Sequence, residues 1–167
     1  MVTNTSVNRS ALLETLPRLK RFCLVLTRRS EDADDLLQAT VERLLSKGVP
    51  PDADLNKWAF RVCRNIWIDE VRSRNVRRAT PIDEAPEPNP LDGECAAMAR
   101  ASLTEVRGAL ESLPEEQREA ICLVAMEGYS YKEAAEIMNA PIGTVMSRLS
   151  RARAALADAL ADAPLPT

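Results

Sequence analysis

Residues 79–94 read ATPIDEAPEPNPLDGE, and this stretch limits most what the chain can fold into. Pro81, Pro86, Pro88 and Pro90 remove backbone donors and bar a continuous helix or a central strand. Asp83, Glu84, Glu87, Asp92 and Glu94 stand among them with no Lys or Arg. The segment therefore repels itself and has little apolar surface to bury, and it reads as an acidic linker. About 80 residues precede it and about 70 follow, each enough for a small core of its own. The expected division is a domain at 1–78, a linker at 79–97 and a second domain at 98–163.

Both flanking halves repeat apolar residues at helical spacing and neither shows strand alternation, so the expected fold class is all-α, two small helical domains. A first helix covers about Ser10 to Thr27, with Leu12, Leu16, Leu19, Phe22, Cys23 and Leu26 on its apolar stripe. A second starts near Ser30, where Ser30, Glu31 and Asp32 suit a helix N-terminus by capping and by dipole. Its apolar face is Leu36, Leu37, Val41, Leu44 and Leu45, and Gly48 with Pro50 and Pro51 stops it. A third runs from Asp54 or Leu55 to Arg77. There Leu55, Trp58, Ala59, Val62 and Ile66 share one side, with Phe60, Cys63, Trp67 and Val71 beside them and Trp58 assigned to the core. Four helices follow the linker. One covers Cys95 to Glu111, and one opens near Pro114 with Glu115 and Glu116 at its positive end and Gly128 as its stop. A short one, Tyr131 to Met138, has Ser130 and Glu133 at capping-box spacing. The last runs from Ile142 to Leu160 behind Pro141.

Several function classes are excluded. The chain has no His and no C-x-x-C, which argues against a zinc finger or zinc catalysis. It has no glycine-rich loop and no nucleophile constellation, so neither an enzyme nor a metal, cofactor or small-molecule substrate is expected. No apolar run reaches eighteen residues, and the first residues lack a basic and then apolar leader, so membrane insertion and a secretory signal are not expected. The expected location is cytoplasmic. Cys23, Cys63, Cys95 and Cys122 are spread through mostly apolar helical patterns and read as buried thiols kept reduced. The net charge of −3 rules out a globally basic nucleic-acid binder, so any such contact must come from local charge.

Two segments set positive charge beside polar residues on one helical face. From Asp54 to Arg78 seven Lys/Arg face three Asp/Glu, a local +4. Lys57, Arg61, Arg64, Asn65 and Arg72 fall on one face of that helix at about 100° per residue. An Asn amide carries two donors and an acceptor and can read the edge of a base that has left the stack; an indifferent surface Asn is the plain alternative. In the last helix Ile142, Val145, Leu149, Ala152 and Leu156 form a buried face. Thr144, Ser147, Arg148, Ser150, Arg151 and Arg153 point away from it. With the short capped helix before it and the break at NAP, this pattern suits a helix-turn-helix whose second helix enters a major groove. An amphipathic helix with a solvated basic face is the alternative.

The segment LPEEQREAICLVAMEGYSYKEAAEIMNAPIGTVMSRLSRARAAL resembles the C-terminal domain of bacterial sigma factors of the extracytoplasmic-function (ECF) group, which binds the promoter −35 element. The resemblance implies base contacts from Ser147, Ser150 and Arg151. It gives Thr144, Arg148 and Arg153 to phosphates or to support of the helix. Met146 stands where many members carry Lys or Arg. SEDADDLLQATVERLL resembles the ECF motif DAEDLVQETF, whose helix docks on the clamp helices of the polymerase. That implies core-polymerase contacts from Asp35 and Gln38, with Asp34 beside them and Arg43 bordering the surface; Ala39 replaces the usual acidic residue. A water-facing acidic helix start is the alternative on the residues alone. KWAFRVCRNIWIDEVRSR is similar to the ECF segment RAWLYRIARNxxID. By position, Asn65 would help hold a flipped −10 base, and Arg61, Arg64, Arg72, Arg74, Arg77 and Arg78 would touch backbone phosphates.

By the same resemblance the linker would thread polymerase towards the RNA exit path. Its acidity suits mimicry of nucleic acid or a plain tether equally. The implied function is an alternative sigma factor that binds core RNA polymerase and promoter DNA, reads the −35 element and captures the melted −10 element. An anti-sigma factor is a further implied partner. A stand-alone helix-turn-helix regulator and a sigma-like decoy are the other classes. The first has no use for the clamp-helix motif or Asn65, and the second none for the clustered arginines.

Overall fold

The computed structural model describes residues 5–77 and 97–161. Among them are seven α-helices and no strand; Thr5 and Val49 form one isolated antiparallel bridge, with N–H···O distances of 3.0 and 3.2 Å. The chain divides into two compact units, one built on the first three helices and one on the last four. The linker expected at 79–97 lies almost wholly outside the described residues, as do Cys95 and Arg78. No helix among the described residues is long and apolar enough to cross a membrane.

The first unit packs α1 (Arg9–Thr27), α2 (Ser30–Lys47) and α3 (Leu55–Arg77) against one another. Asn8 caps α1, its Oδ1 accepting from the N–H of Ser10 at 3.0 Å and of Ala11 at 3.5 Å. The helix ends at Arg28, which adopts a left-handed φ of 62° and donates its N–H to Leu24 O. Ser30 does not cap α2 as expected. It is the first helical residue, Arg29 holds the cap position without a side-chain bond, and only Glu31 and Asp32 serve the positive helix end. Gly48, at φ 70°, closes α2 through its N–H to Leu44 O.

Leu12, Leu19, Phe22, Cys23 and Leu26 of α1 meet Ala33, Leu36 and Leu44 of α2 and Ala59, Phe60, Cys63 and Trp67 of α3 in the core. The Phe22 and Phe60 rings lie 4.9 Å apart, a tilted pair worth about 0.5–1.5 kcal/mol beyond its area. The thiols of Cys23 and Cys63 are both fully buried, 3.4 Å apart. Two side-chain assignments change. Leu45 is 53% exposed, and Thr40, its hydroxyl donating to Leu36 O at 2.7 Å, continues the buried row Ala33–Leu36–Thr40–Leu44 instead. A threonine can do this because back-bonding satisfies its one donor inside the helix. Trp58 is half-buried at the edge of the core, not within it.

The second unit contains α4 (Ala97–Glu111), α5 (Glu115–Ile121), α6 (Tyr131–Met138) and α7 (Ile142–Ala161). α5 continues into a π-helical turn, Cys122–Met126, closed by the Glu127 N–H on Cys122 O at 2.9 Å. Gly128, at φ 77°, then redirects the chain. The capping box forms as expected: the Glu133 N–H donates to Ser130 Oγ at 3.1 Å and the Ser130 N–H to Glu133 Oε2 at 2.9 Å. After α6, Asn139 takes a left-handed φ of 48° and Pro141 precedes α7. α7 packs on α5 and α4 through a face whose buried members are Val145, Leu149 and Ala152. Ile142, expected on that face, is 48% exposed because it precedes the first buried turn.

Candidate nucleic-acid interface

Asn65 is exposed in the middle of α3. Arg61 and Arg72 are exposed on the same face, one turn before it and two turns after it, so the pair spans about 16 Å of helix. Arg64 is half-buried beside them. Asn65 also borders a half-open depression of about 240 Å³ between α2 and α3. Its apolar wall is Trp58, Val62 and Ile66, Asp69 adds a carboxylate, and Arg43 and Lys47 bring two cations from α2. Arg43 was expected to border the acidic surface of α2. It lines this depression as well, projecting about 140° from Gln38 and about 80° from Asp35.

Arg74 and Arg77 do not join this face. Arg74 lies nine residues from Asn65, half a revolution round the helix. Its Nε donates to Glu70 at 3.0 Å, Nη2 reaches Asp32 at 3.5 Å, and the guanidinium lies 5.8 Å from the Trp67 ring centre. The hydrogen bond with Glu70 holds its pKa above the ordinary value, outweighing partial burial, with Asp32 adding to the effect. Arg74 thus ties α3 to α2 with its charge already matched by two carboxylates. Arg77 is exposed at the end of α3.

On α2, Asp34, Asp35 and Gln38 are all exposed. Asp34 lies 3.4 Å from Lys20, and Gln38 Nε2 donates to Glu42 Oε1 at 3.2 Å. Asp35, Gln38, Glu42 and Leu45 follow one another at spacings of three and four, so they form one outward row. Sequence reasoning missed Glu42 and Leu45. Continuing the Asp35–Gln38 spacing would have found both, but Leu45 was claimed for the core by its hydrophobicity.

On α7, Ser147, Ser150, Arg151 and Arg153 are exposed and Thr144 is half-buried. Arg148 is held back, with its side chain 18% exposed and Nη2 2.9 Å from Glu116 Oε2 on α5. Met146 is 50% exposed beside Ser147. A Cβ placed on Gly143 would meet no atom within 4 Å.

Residues 12–77 match the family Sigma-70 region 2, and residues 103–156 match Sigma-70, region 4. The ECF RNA polymerase sigma factor EcfG of Rhodopseudomonas palustris is 35% identical over 150 residues, covering 89% of this chain and 82% of the relative. SigM of Mycobacterium tuberculosis, another ECF RNA polymerase sigma factor, is 35% identical over 145 residues, 84% of this chain and 70% of that protein. Among solved structures, the sigma factor RpoE in complex with the anti-sigma factor NepR from Bartonella quintana matches with a TM-score of 0.75 at 31% identity, over 93% of this chain and 98% of that one. CnrH in complex with the cytosolic domain of CnrY matches with a TM-score of 0.63 at 26% identity, over 92% and 88%. With both sigma regions present in order and relatives of one kind along most of its length, the chain belongs to the ECF RNA polymerase sigma factors, alternative sigma factors that direct promoter-specific initiation of transcription.

Proposed function

We propose that residues 1–78 hold core RNA polymerase and the −10 element, residues 98–163 hold the −35 element, and residues 79–97 tether the two. The observation that carries this reading is on α3, where Asn65, the depression walled by Trp58, and Arg61 and Arg72 adjoin. A base leaving the duplex enters the depression with its ring against Trp58, Val62 and Ile66, and the Asn65 amide bonds its edge. Arg61, Arg64 and Arg72, with Arg43 at the rim, neutralise the neighbouring phosphates. Unstacking a base costs a few kcal/mol, and aromatic stacking returns about 1–3 kcal/mol. The exchange is close to balanced, so the hydrogen bonds of Asn65 decide which sequence opens. No covalent bond changes, and the chain supplies no catalytic chemistry of its own.

The row Asp34, Asp35, Gln38, Glu42 and Leu45 suits the polymerase, with polar contacts at one end and an apolar anchor at the other. Ser147, Ser150 and Arg151 meet base edges in the major groove, Thr144 and Arg153 meet phosphates, and Arg148 braces α7 through Glu116. A chain of net charge −3 binds DNA weakly by itself and well when polymerase holds it, which keeps it off promoters until it is assembled. This activity belongs in the cytoplasm. The likeness to RpoE held by NepR supports a protein of that anti-sigma kind as a further partner.

Run-off transcription with purified core polymerase on a library of genomic promoter fragments tests the proposal. Selective initiation at promoters sharing one −35 and one −10 sequence is the expected result. Core polymerase binding without selective initiation would sink it.

A further inference from the structure

Met146 and Gly143 are two positions on the outward surface of α7 that packing within the protein does not explain; Ile142, 48% exposed, and Leu160, 39% exposed, are apolar residues in water there too. Half of the Met146 side chain is in water, although methionine is an apolar residue. Gly143 has no positive φ, and a Cβ there would touch nothing, so neither backbone geometry nor packing requires glycine. Gly143 is the second residue of α7, in its first turn, so it costs less relative to alanine than the about 1 kcal/mol of a helix interior. The two are three residues apart and therefore share a face, with Ser150 one turn beyond Met146 and Ser147 beside it. The result is a strip of bare backbone followed by a flexible thioether, set among hydroxyls that suit base edges.

We propose that Met146 reads a thymine in the −35 element through its C5-methyl group, with Gly143 allowing the groove edge to approach the helix closely. This rests on α7 being the −35 reader. Thymine carries the one methyl group among the base edges of the major groove, and apolar side chains recognise it by contact. A thioether is polarisable and unbranched, so it follows the shape of such a target. A lysine or arginine at this position would add phosphate attraction or a guanine contact. Methionine forgoes both for contact with a methyl group. Arg153 supplies charge from the same helix and keeps the helix on the duplex.

The test uses holoenzyme reconstituted from full-length chain and core polymerase, on promoter fragments carrying the selected −35 element. Each thymine of that element, on either strand, is replaced singly by deoxyuridine, which removes only the methyl group. One replacement is expected to weaken wild-type binding about fourfold, the worth of one buried methyl group. Met146→Ala should bind the thymine and uracil forms equally, while Arg151→Ala binds more weakly overall and keeps the preference. Met146→Lys should bind both forms equally with a steeper salt dependence. If every thymine that matters to wild type matters equally to Met146→Ala, or none matters to wild type, the proposal fails. If Ser147→Ala and Arg151→Ala leave −35 selection unchanged, the fault lies earlier, in the assignment of α7 to the −35 element. Met146 is half exposed, so the thermal midpoint of Met146→Ala should match wild type and a binding change is not a folding change.

Discussion

Asn65 and Arg74 stand on one helix and do different work. Asn65 is exposed at a depression with an aromatic wall, and Asn65→Ala is expected to abolish promoter melting while leaving polymerase affinity and the thermal midpoint unchanged. Permanganate reactivity of −10 thymines beside a polymerase pull-down checks this; loss of both together would point to misfolding. Arg61 and Arg72 are exposed, so Arg61→Ala and Arg72→Ala should each lower the slope of log affinity against log salt by roughly 0.7–0.9, the release of one counterion. Arg74→Ala should leave that slope unchanged and lower stability instead, by about 1 kcal/mol, through the lost bonds to Glu70 and Asp32 and the lost contact with Trp67. The raised pKa of Arg74 carries no pH dependence near neutrality, because such a contribution is full below the unfolded value and is lost only above the still higher folded one. Neither residue's surroundings could be read from its position in the sequence. Arg74 and Asn65 both sit in a basic helix, and only the packing of α2 on α3 supplies Asp32 to one and Arg43 to the other.

Helices formed where the local chemistry was self-sufficient. The Ser130–Glu133 box is complete within four residues, so it was legible and is present; Ser130→Ala should cost about 1 kcal/mol of stability by urea unfolding. The start of α2 was legible in place but not in mechanism, because Ser30 is one residue too late to cap. Leu45 marks the limit of helical periodicity as a guide. A stripe of leucines about 100° wide identifies a face, but which edge of it is covered depends on where α1 and α3 lie. Being exposed, Leu45→Asp should change stability by less than about 0.5 kcal/mol. If the outward row of α2 is the polymerase surface, the same change should weaken core polymerase binding at least tenfold in a competition assay against wild type. Unchanged competition would remove Leu45 from that surface. The π-helical turn at Cys122–Met126 had no sequence signal, since its residues are ordinary helix formers.

At the scale of the whole chain, charge and connectivity decide the behaviour. Cations lie on α3 and α7, and six more Lys/Arg stand from Arg9 to Arg29, while the total stays at −3. The free protein is therefore expected to bind promoter duplex at least a hundredfold more weakly than the holoenzyme at 150 mM salt, about 2.8 kcal/mol at 1.4 kcal/mol per decade. Fluorescence anisotropy on one labelled promoter, with and without core polymerase, measures the difference; equal affinities would make the chain a self-sufficient DNA binder. Helical class, the division into two halves, the turn before α7 and the outward position of Ser147, Ser150 and Arg151 were legible because each depends on residues close together in the sequence. The sequence also carried enough of the two sigma motifs to indicate the family before any coordinate. Tertiary packing decided the rest: that Trp58 is a wall and not core, that Arg43 lines the depression beside Asn65, and that Arg74 and Arg148 are braces. Spacing within a helix determines which residues share a face. What that face meets is set by neighbours many residues away, and no local pattern contains them.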